Sequence, residues 1–437
     1  MSKAGAKVLH FFDIRKYFMK KIALIVIFLS LVSGIYAQTQ VRTLTEQIRT
    51  LRVARTFLVL NGEEIDGSDP ENTLYISFDE MSHDVHFYTY TVHHMTADRS
   101  RESDLLSSEF LRGFTTQDIT DYEHSINTSR LYTHYRFSFP NDQMVITKSG
   151  NYQLTIYEDG DADKRVAEVE FCVVEPLTKM GVNVRANTDI EFNGRYQQVD
   201  VDVNTTAIEL RDPNEVRVQV RQNNRTDNAV WLLRPTYIER GHLKYQQNKD
   251  LIFEGGNEYH HFDAFSRFYA GTGIDRVYYE MGDYNVLLFQ DEITTGQYIH
   301  HFDVDGGYKV NAEHTEDSDV EAEYMWVHWI LPMENPWLDG ALYLGGDLFG
   351  NELNLRNRMQ YDVEHQCYWL TALVKQGGYD YQYWFSGKGT QQKTTTQRVD
   401  GSYWQTENEY AVYVYWRPFG ARYDRLIGVQ TICSNAL

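Results

Sequence analysis

The sequence predicts an all-β chain: two to three consecutive immunoglobulin-like β-sandwich modules after a cleaved signal peptide. Three observations carry that reading. Among 437 residues there are 32 Tyr, 22 Phe and 8 Trp beside only 8 Pro, and aromatic side chains favour pleated, half-buried surfaces. Apolar residues recur with period two in many short runs, which is the mark of half-buried strands. Helical periodicity is scarce, and turn-formers punctuate the chain at sandwich spacing. Hydrophobic residues make up 42% and charged ones 24%, so the chain buries an ordinary core and is not a disordered tail. At about 100–200 residues per domain, the length suits two to four domains.

The first element is a targeting segment. Met19-Lys20-Lys21 opens a basic region, Ile22 to Val32 is apolar, and Ser33 to Ala37 ends on a small residue before Gln38. That is the layout of a secretory signal cleaved between Ala37 and Gln38. The apolar run is shorter than the ~20 residues a membrane-spanning helix needs. Residues 1–18 form an upstream extension, which leaves Met1 and Met19 as alternative starts. The whole chain carries 41 Lys+Arg and 62 Asp+Glu, a net charge of −21. Cleavage removes six bases and one acid, leaving 35 − 61 = −26. Such a chain repels phosphate backbones, which excludes non-specific nucleic-acid binding.

Strand signals then follow in order. Runs at Val85–Val92, Tyr132–Phe139, Tyr152–Tyr157 and Glu168–Val174 alternate apolar and polar residues. Between the last two, Glu158 to Asp163 is an Asp/Gly-rich hairpin turn. Ser103 to Leu111 is the best helical stretch, one or two turns with Ser103 as cap and Gly113 as stop. Pro176 closes a first module at 42–178, because proline ends a ladder. Val199, Val201 and Val203, then Val216, Val218 and Val220, mark strands of a middle β-rich module at 181–312. Asn311–Glu323 reads as a solvated acidic linker. Tyr379–Phe385 and Glu409–Trp416 belong to a third module at 322–437.

Candidate chemistry is sparse. His260-His261-Phe262-Asp263 is echoed by His300-His301-Phe302-Asp303. On a strand each segment offers one His and one Asp per face, so two segments together would be needed for four metal ligands. Exposed histidines on aromatic strands are the commoner outcome. Asp159, Asp161 and Asp163 begin like a calcium loop, but Lys164 stands where the loop needs Gly, which favours a plain turn. Cys172, Cys367 and Cys433 allow at most one internal disulfide. Cys367 with Cys433 is favoured only by proximity along the chain, and three buried thiols are as compatible. There is no G-x-S-x-G, H-E-x-x-H, phosphate loop or G-x-G-x-x-G. The chain is therefore expected to be no enzyme, with no catalytic residue, cofactor or metal site.

The third module contains Gly340 to Phe349, Met359-Gln360-Tyr361-Asp362, Tyr368-Trp369-Leu370 and Lys375 to Tyr383. This resembles early-set immunoglobulin-like modules found beside glycan-processing enzymes. Those often carry a sugar-stacking Trp after the Gly-Asp-Phe turn, whereas here Asp347 is followed by Leu348-Phe349-Gly350-Asn351.

Over its mature length the chain resembles the plug protein family of the type IX secretion system of the Bacteroidetes. The resembling stretches are Asp121-Tyr122-Glu123 with Ser125 and Asn127, Tyr132 to Tyr135, Phe139 to Asp142, Ser149 to Tyr152, Tyr157 to Asp161, and Arg417 to Gly428. The resemblance implies a periplasmic protein, peripheral to the outer membrane, that closes the periplasmic opening of a large outer-membrane secretion barrel. An open lumen of that size leaks, so it needs a folded occluder. Cargo must displace the plug, which implies a polar, moderate-sized interface. The sequence does not name the partner-binding residues. Arg422, Asp424 and Arg425 are read as an ion pair fixing the last hairpin. Two rival readings remain. One is a secreted or outer-membrane glycan-binding β-sandwich protein using Trp369 or Trp384, and the other is an outer-membrane β-barrel.

Overall fold

The computed structural model describes residues 40–434 apart from 56, 295 and 390–392. The cleavage point at Ala37 and Gln38, with the segment before it, lies outside the described residues. Within them the chain is built almost wholly of strands in open sheets that pack face to face, as the period-two runs require.

The first module sandwiches two sheets. One runs in the order Gln40–Thr43, Arg165–Val174, Gly150–Glu158, Tyr88–Met95, Thr116–Ile119, with Phe57–Val59 added parallel to Arg165–Val174. The other runs Ile48–Val53, Leu74–Glu80, Thr133–Phe139, Asp121–His124. Their inner faces meet through Ile76, Phe78 and Tyr135 on one side and Tyr90, Tyr152, Leu154 and Phe171 on the other. The expected hairpin pairs Tyr152 with Phe171 and Leu154 with Val169. Its turn places Asp159 and Gly160 at φ 56° and 66°, and Lys164 Nζ lies 2.8 Å from Asp159. The Asp159–Asp163 segment is thus a turn held by its own lysine.

Several expectations are corrected in detail. The strand read as Val85–Val92 runs Tyr88–Met95, because Val85 and Phe87 are half exposed and outside the ladder. The helix contracts to one turn, Ser107–Phe110. Glu109 rather than Ser103 caps it, accepting the Leu106 N–H at 2.8 Å. The Ser103 hydroxyl instead bonds the His94 ring at 2.9 Å.

The larger correction concerns the modules. Val216–Gln222 pairs along its length with Glu409–Trp416, which pairs with Arg425–Cys433. The last two strands therefore complete the second module, whose core joins Val199, Val201, Val203, Val218 and Val220 to Tyr410, Val412 and Val414. The third module is nested inside the second. Its sheets centre on Gly377–Gly387 and on Tyr324–Pro332 with Cys367–Lys375, and they close over Phe262, Trp329, Leu342, Tyr381 and Tyr383. A single contiguous stretch 322–437 cannot be a module, since Tyr410 to Ile427 bury their apolar faces against residues 199–253. Nor is Asn311–Glu323 a solvated linker. It contains a helical turn, Ser318–Glu321, and buries Val320, Ala322 and Glu323.

Gly345 marks the tightest approach in the third module. A Cβ there would sit 2.0 Å from the Trp384 ring. That ring is fully buried, lies under Arg225 at 4.5 Å, and donates its N–H to Gln382 at 3.0 Å. It cannot yield, so Gly345→Ala is expected to cost about 1–3 kcal/mol in urea denaturation.

Candidate functional site

The residues singled out by sequence take structural positions. His260 lies 3.1 Å from Asp291 and 2.9 Å from Asp400, and stacks on Tyr381. His261 lies 2.6 Å from Asp380 and 2.9 Å from Asp263. His301 bonds the Tyr259 carbonyl and Asp303 accepts the Tyr259 N–H. The two His-His-Phe-Asp segments are thus brought together, but through ion pairs and backbone bonds. Among the described residues no group of three or more His, Cys, Asp or Glu is placed to hold a metal ion. The cysteines are free thiols, Cys172 and Cys367 buried and Cys433 exposed. Cys367 and Cys433 lie in different sheets. Burial pushes the Cys172 thiol up to about 11.

Trp384 is fully buried and has no free face for a sugar; Trp369 is partly exposed. Arg422, Asp424 and Arg425 do not pair with one another. Arg425 meets Glu175 at 2.6 Å, Arg422 meets Glu109, and Asp424 accepts the Ala97 N–H at 3.1 Å. These contacts tie the last hairpin to the first module. A surface cleft of about 480 Å³ on the second module is lined by Arg185, Asp189, Asp200, Glu239 and Lys244. Its charges neutralise one another, since Arg185 pairs with Asp189 and Asp200, and Lys244 with Glu239.

The first and third modules are joined by a buried polar network that no local sequence pattern announces. Lys375 Nζ lies 2.6 Å from Asp79 Oδ2, and both side chains are fully buried. Asp79 also bonds the His134 ring at 2.6 Å and accepts the Tyr324 hydroxyl at 2.7 Å. Lys375 donates to the Asp319 carbonyl and lies over the Tyr132 ring. Burial pulls the Lys375 ammonium below its ordinary value against the attraction of Asp79. Beside it the buried Glu323 carboxylate accepts the Ser129 N–H at 2.6 Å and the Arg130 N–H at 3.1 Å. Every strong charge in this seam has a partner, which is the condition for burying it.

Residues 289–294 and 296–307 form irregular stretches held against the third module. Asp291 anchors them to Tyr381 and Tyr383, Tyr298 to Glu258, and the Val304 N–H to Asp380. Burial lifts Asp303 to about 6 and Asp305 to about 7, with Asp303 adding to the rise at Asp305. Burial also lifts Glu409 to about 8. The hydrogen bond to Asp380 raises His261 to about 9. An acid held up in the folded state binds more protons than the unfolded chain, so its contribution declines as pH rises toward the folded value. A raised histidine stabilises fully below its unfolded value and loses that contribution as pH rises through about 9. Both effects have the same sign. Burial holds His94 down at about 4, which opposes this only below its unfolded value near 6.5, so the unfolding midpoint is expected to fall between about pH 6.5 and about pH 9, by roughly 2–4 °C for each kcal/mol lost. Calorimetry of Asp305→Asn should show a shallower slope.

The best candidate for recognition is an exposed surface mounted on the buried seam. The hairpin Ile274–Glu280 with Asp283–Leu288 turns through Met281 and Gly282 at φ 53° and 95°. Met281 is 98% exposed, Phe268 77% and Tyr279 59%. Beneath them Arg130 grips Asp283 with two bonds, at 3.0 and 2.8 Å, and lies over Trp326. Arg267 lies over Phe268 and Tyr284 and donates to the Asn127 carbonyl at 3.0 Å. Ile126 and Leu131 of the first module, next in sequence to Asn127 and Arg130, are half exposed. Large apolar groups among held arginines and rings are the composition of binding hot spots. Sequence reading missed this surface because its residues come from three separate stretches.

Residues 65–175, most of the first module, match the family model for the Type 9 secretion system plug protein 1st domain. The first module thus carries a plug protein first domain of the type 9 secretion system. A hypothetical protein from Parabacteroides merdae, known from its crystal structure, is 36% identical with a TM-score of 0.86, over 91% of this chain and 100% of that one. The architecture beyond the matched domain is therefore shared as well. The BSP domain of a biofilm associated protein is 8% identical with a TM-score of 0.18, over 92% of this chain and 61% of that one, and carries no argument. No curated protein matches the chain. The Met281 surface lies on the third module, outside the matched domain but in contact with it through Arg130 and Asn127.

Proposed function

We propose that this protein is a non-catalytic periplasmic plug that occludes the periplasmic opening of the large outer-membrane barrel of the type IX secretion system. The observation that carries the reading is the plug-family first domain at residues 65–175. The architecture supports it. An occluder must resist deformation, and buried ion pairs and hydrogen bonds join the first module to the third and to the last hairpin. In this reading the leader ending at Ala37 exports the chain, and Gln38 begins the mature protein. No helix of the described residues is long and apolar enough to cross a membrane, which suits attachment through a protein partner. Docking is assigned to the surface around Met281, Phe268 and Tyr279, whose mixed apolar and charged character suits reversible contact.

Two measurements test this. Deleting the gene should leave secretion running and raise outer-membrane permeability to large antibiotics; a mutant with an intact barrier defeats the occlusion mechanism. Affinity purification of the tagged mature protein from native envelopes should recover a very large outer-membrane barrel protein.

A further inference from the structure

The seam where the second module packs on the first holds two arginines, Arg99 from the first module and Arg221 from the second. Arg221 lies on Val216–Gln222, cross-strand from Ala411, which faces Thr431 in the next strand. Arg99 sits in the turn after Tyr88–Met95 at φ 56°, and its side chain is 8% exposed. Arg221 is 5% exposed. Arg221 lies over the Tyr413 ring, which packs with Tyr415 and Cys172 in one cluster, and Arg99 meets Glu170, two residues before Cys172 on the same strand, so the two guanidinium groups converge on one spot.

The charges there do not balance. Glu170, 3.5 Å from Arg99 Nε, is the carboxylate that acts on both arginines, and it also acts on Arg42. Hydrogen-bond donors exceed acceptors too. Arg99 Nη1, Arg221 Nη1 and Gln40 Nε2 are buried with no hydrogen-bond acceptor among the described residues, and Arg99 Nε has only the 3.5 Å approach of Glu170. Gln40 lies opposite Glu170 in the adjacent strand. Arg221 bonds Gln219 through Nε at 3.2 Å and lies over the Tyr413 ring. Burial, and then the neighbouring Arg99, depress Arg221 below its ordinary value. Buried guanidinium donors without acceptors are costly, and the buried seams elsewhere in this molecule neutralise their charges.

We propose that the seam between the first and second modules binds a small inorganic anion, held between Arg99 and Arg221. Cys172, Tyr413 and Tyr415 pack together at this seam, so a small anion, a halide, is the probe. The anion supplies the missing negative charge and accepts from the unpaired N–H groups, joining the two modules.

The probe is halide with the mature full-length protein. Crystals grown in bromide are expected to show an anomalous peak between the two guanidinium groups. In solution, chloride is titrated against gluconate at constant ionic strength, which separates binding from general screening of a −26 chain. Above its dissociation constant, each tenfold rise in chloride should multiply the folded-to-unfolded ratio about tenfold. Arg221→Met should abolish that dependence. Equal unfolding in chloride and gluconate overturns the proposal, whether or not crystals at high bromide show a peak. A water molecule in place of bromide overturns it too. If Arg221→Met does not fold, the bromide map and the chloride series of the unaltered protein decide the matter.

Discussion

Replacing Lys375 by Met is expected to lower the stability of the mature protein by about 3–5 kcal/mol, the cost of leaving one partner of a buried ion pair alone. The effect is large because Asp79 has no route to solvent. Both side chains are fully buried, and Asp79 is already committed to His134 and Tyr324. The seam joins separate cores, so the loss should also divide a cooperative transition into two, with the first module melting earlier. Chemical denaturation followed by tryptophan fluorescence measures the stability, and calorimetry counts the transitions. Replacing Asp79 by Leu in the same chain should recover part of the loss, since an apolar pair of similar volume removes the uncompensated charge. A cost below about 1 kcal/mol for Lys375→Met, the range of surface pairs, would show that water reaches the seam.

Substituting Met281→Asp together with Phe268→Asp is expected to abolish recovery of the secretion barrel in affinity purification while leaving the unfolding midpoint unchanged. Both side chains stand in solvent, and substitutions at such positions usually change stability by within about 0.5 kcal/mol. Truncating a central hot-spot residue costs about 2–4 kcal/mol of binding, or 30-fold and more. Two carboxylates would add desolvation cost. Undiminished barrel recovery with the double substitution would move the docking surface elsewhere, without touching the plug reading. Absence of the barrel with the unaltered protein would count against that reading itself.

The sequence was most informative where one strand face meets one core. Val199, Val201 and Val203 alternate with polar neighbours and all three lie at zero exposure. The hairpin at Asp159-Gly160 was legible because its turn residues tolerate positive φ. The acidic stretch Asn311–Glu323 was misread for an equally physical reason. Its carboxylates look solvated in isolation, but Asp319 is held by Arg52 and Glu323 by the Ser129 and Arg130 N–H groups. Those partners lie far away along the chain, beyond any window of periodicity.

Composition and alternation alone determined that this protein is built of β-sheets, because pleat and burial are local matters of period two. The lack of catalytic motifs was equally a property of the linear chain. Nesting of the third module within the second was decided only in three dimensions: Glu409–Trp416 needs an open edge of matching register, and Val216–Gln222 presents one. The Lys375–Asp79 seam, the Met281 surface and the Arg99–Arg221 pair were decided there too. Each assembles charges or rings from distant stretches, and their energies depend on burial, which exists only once the modules have packed.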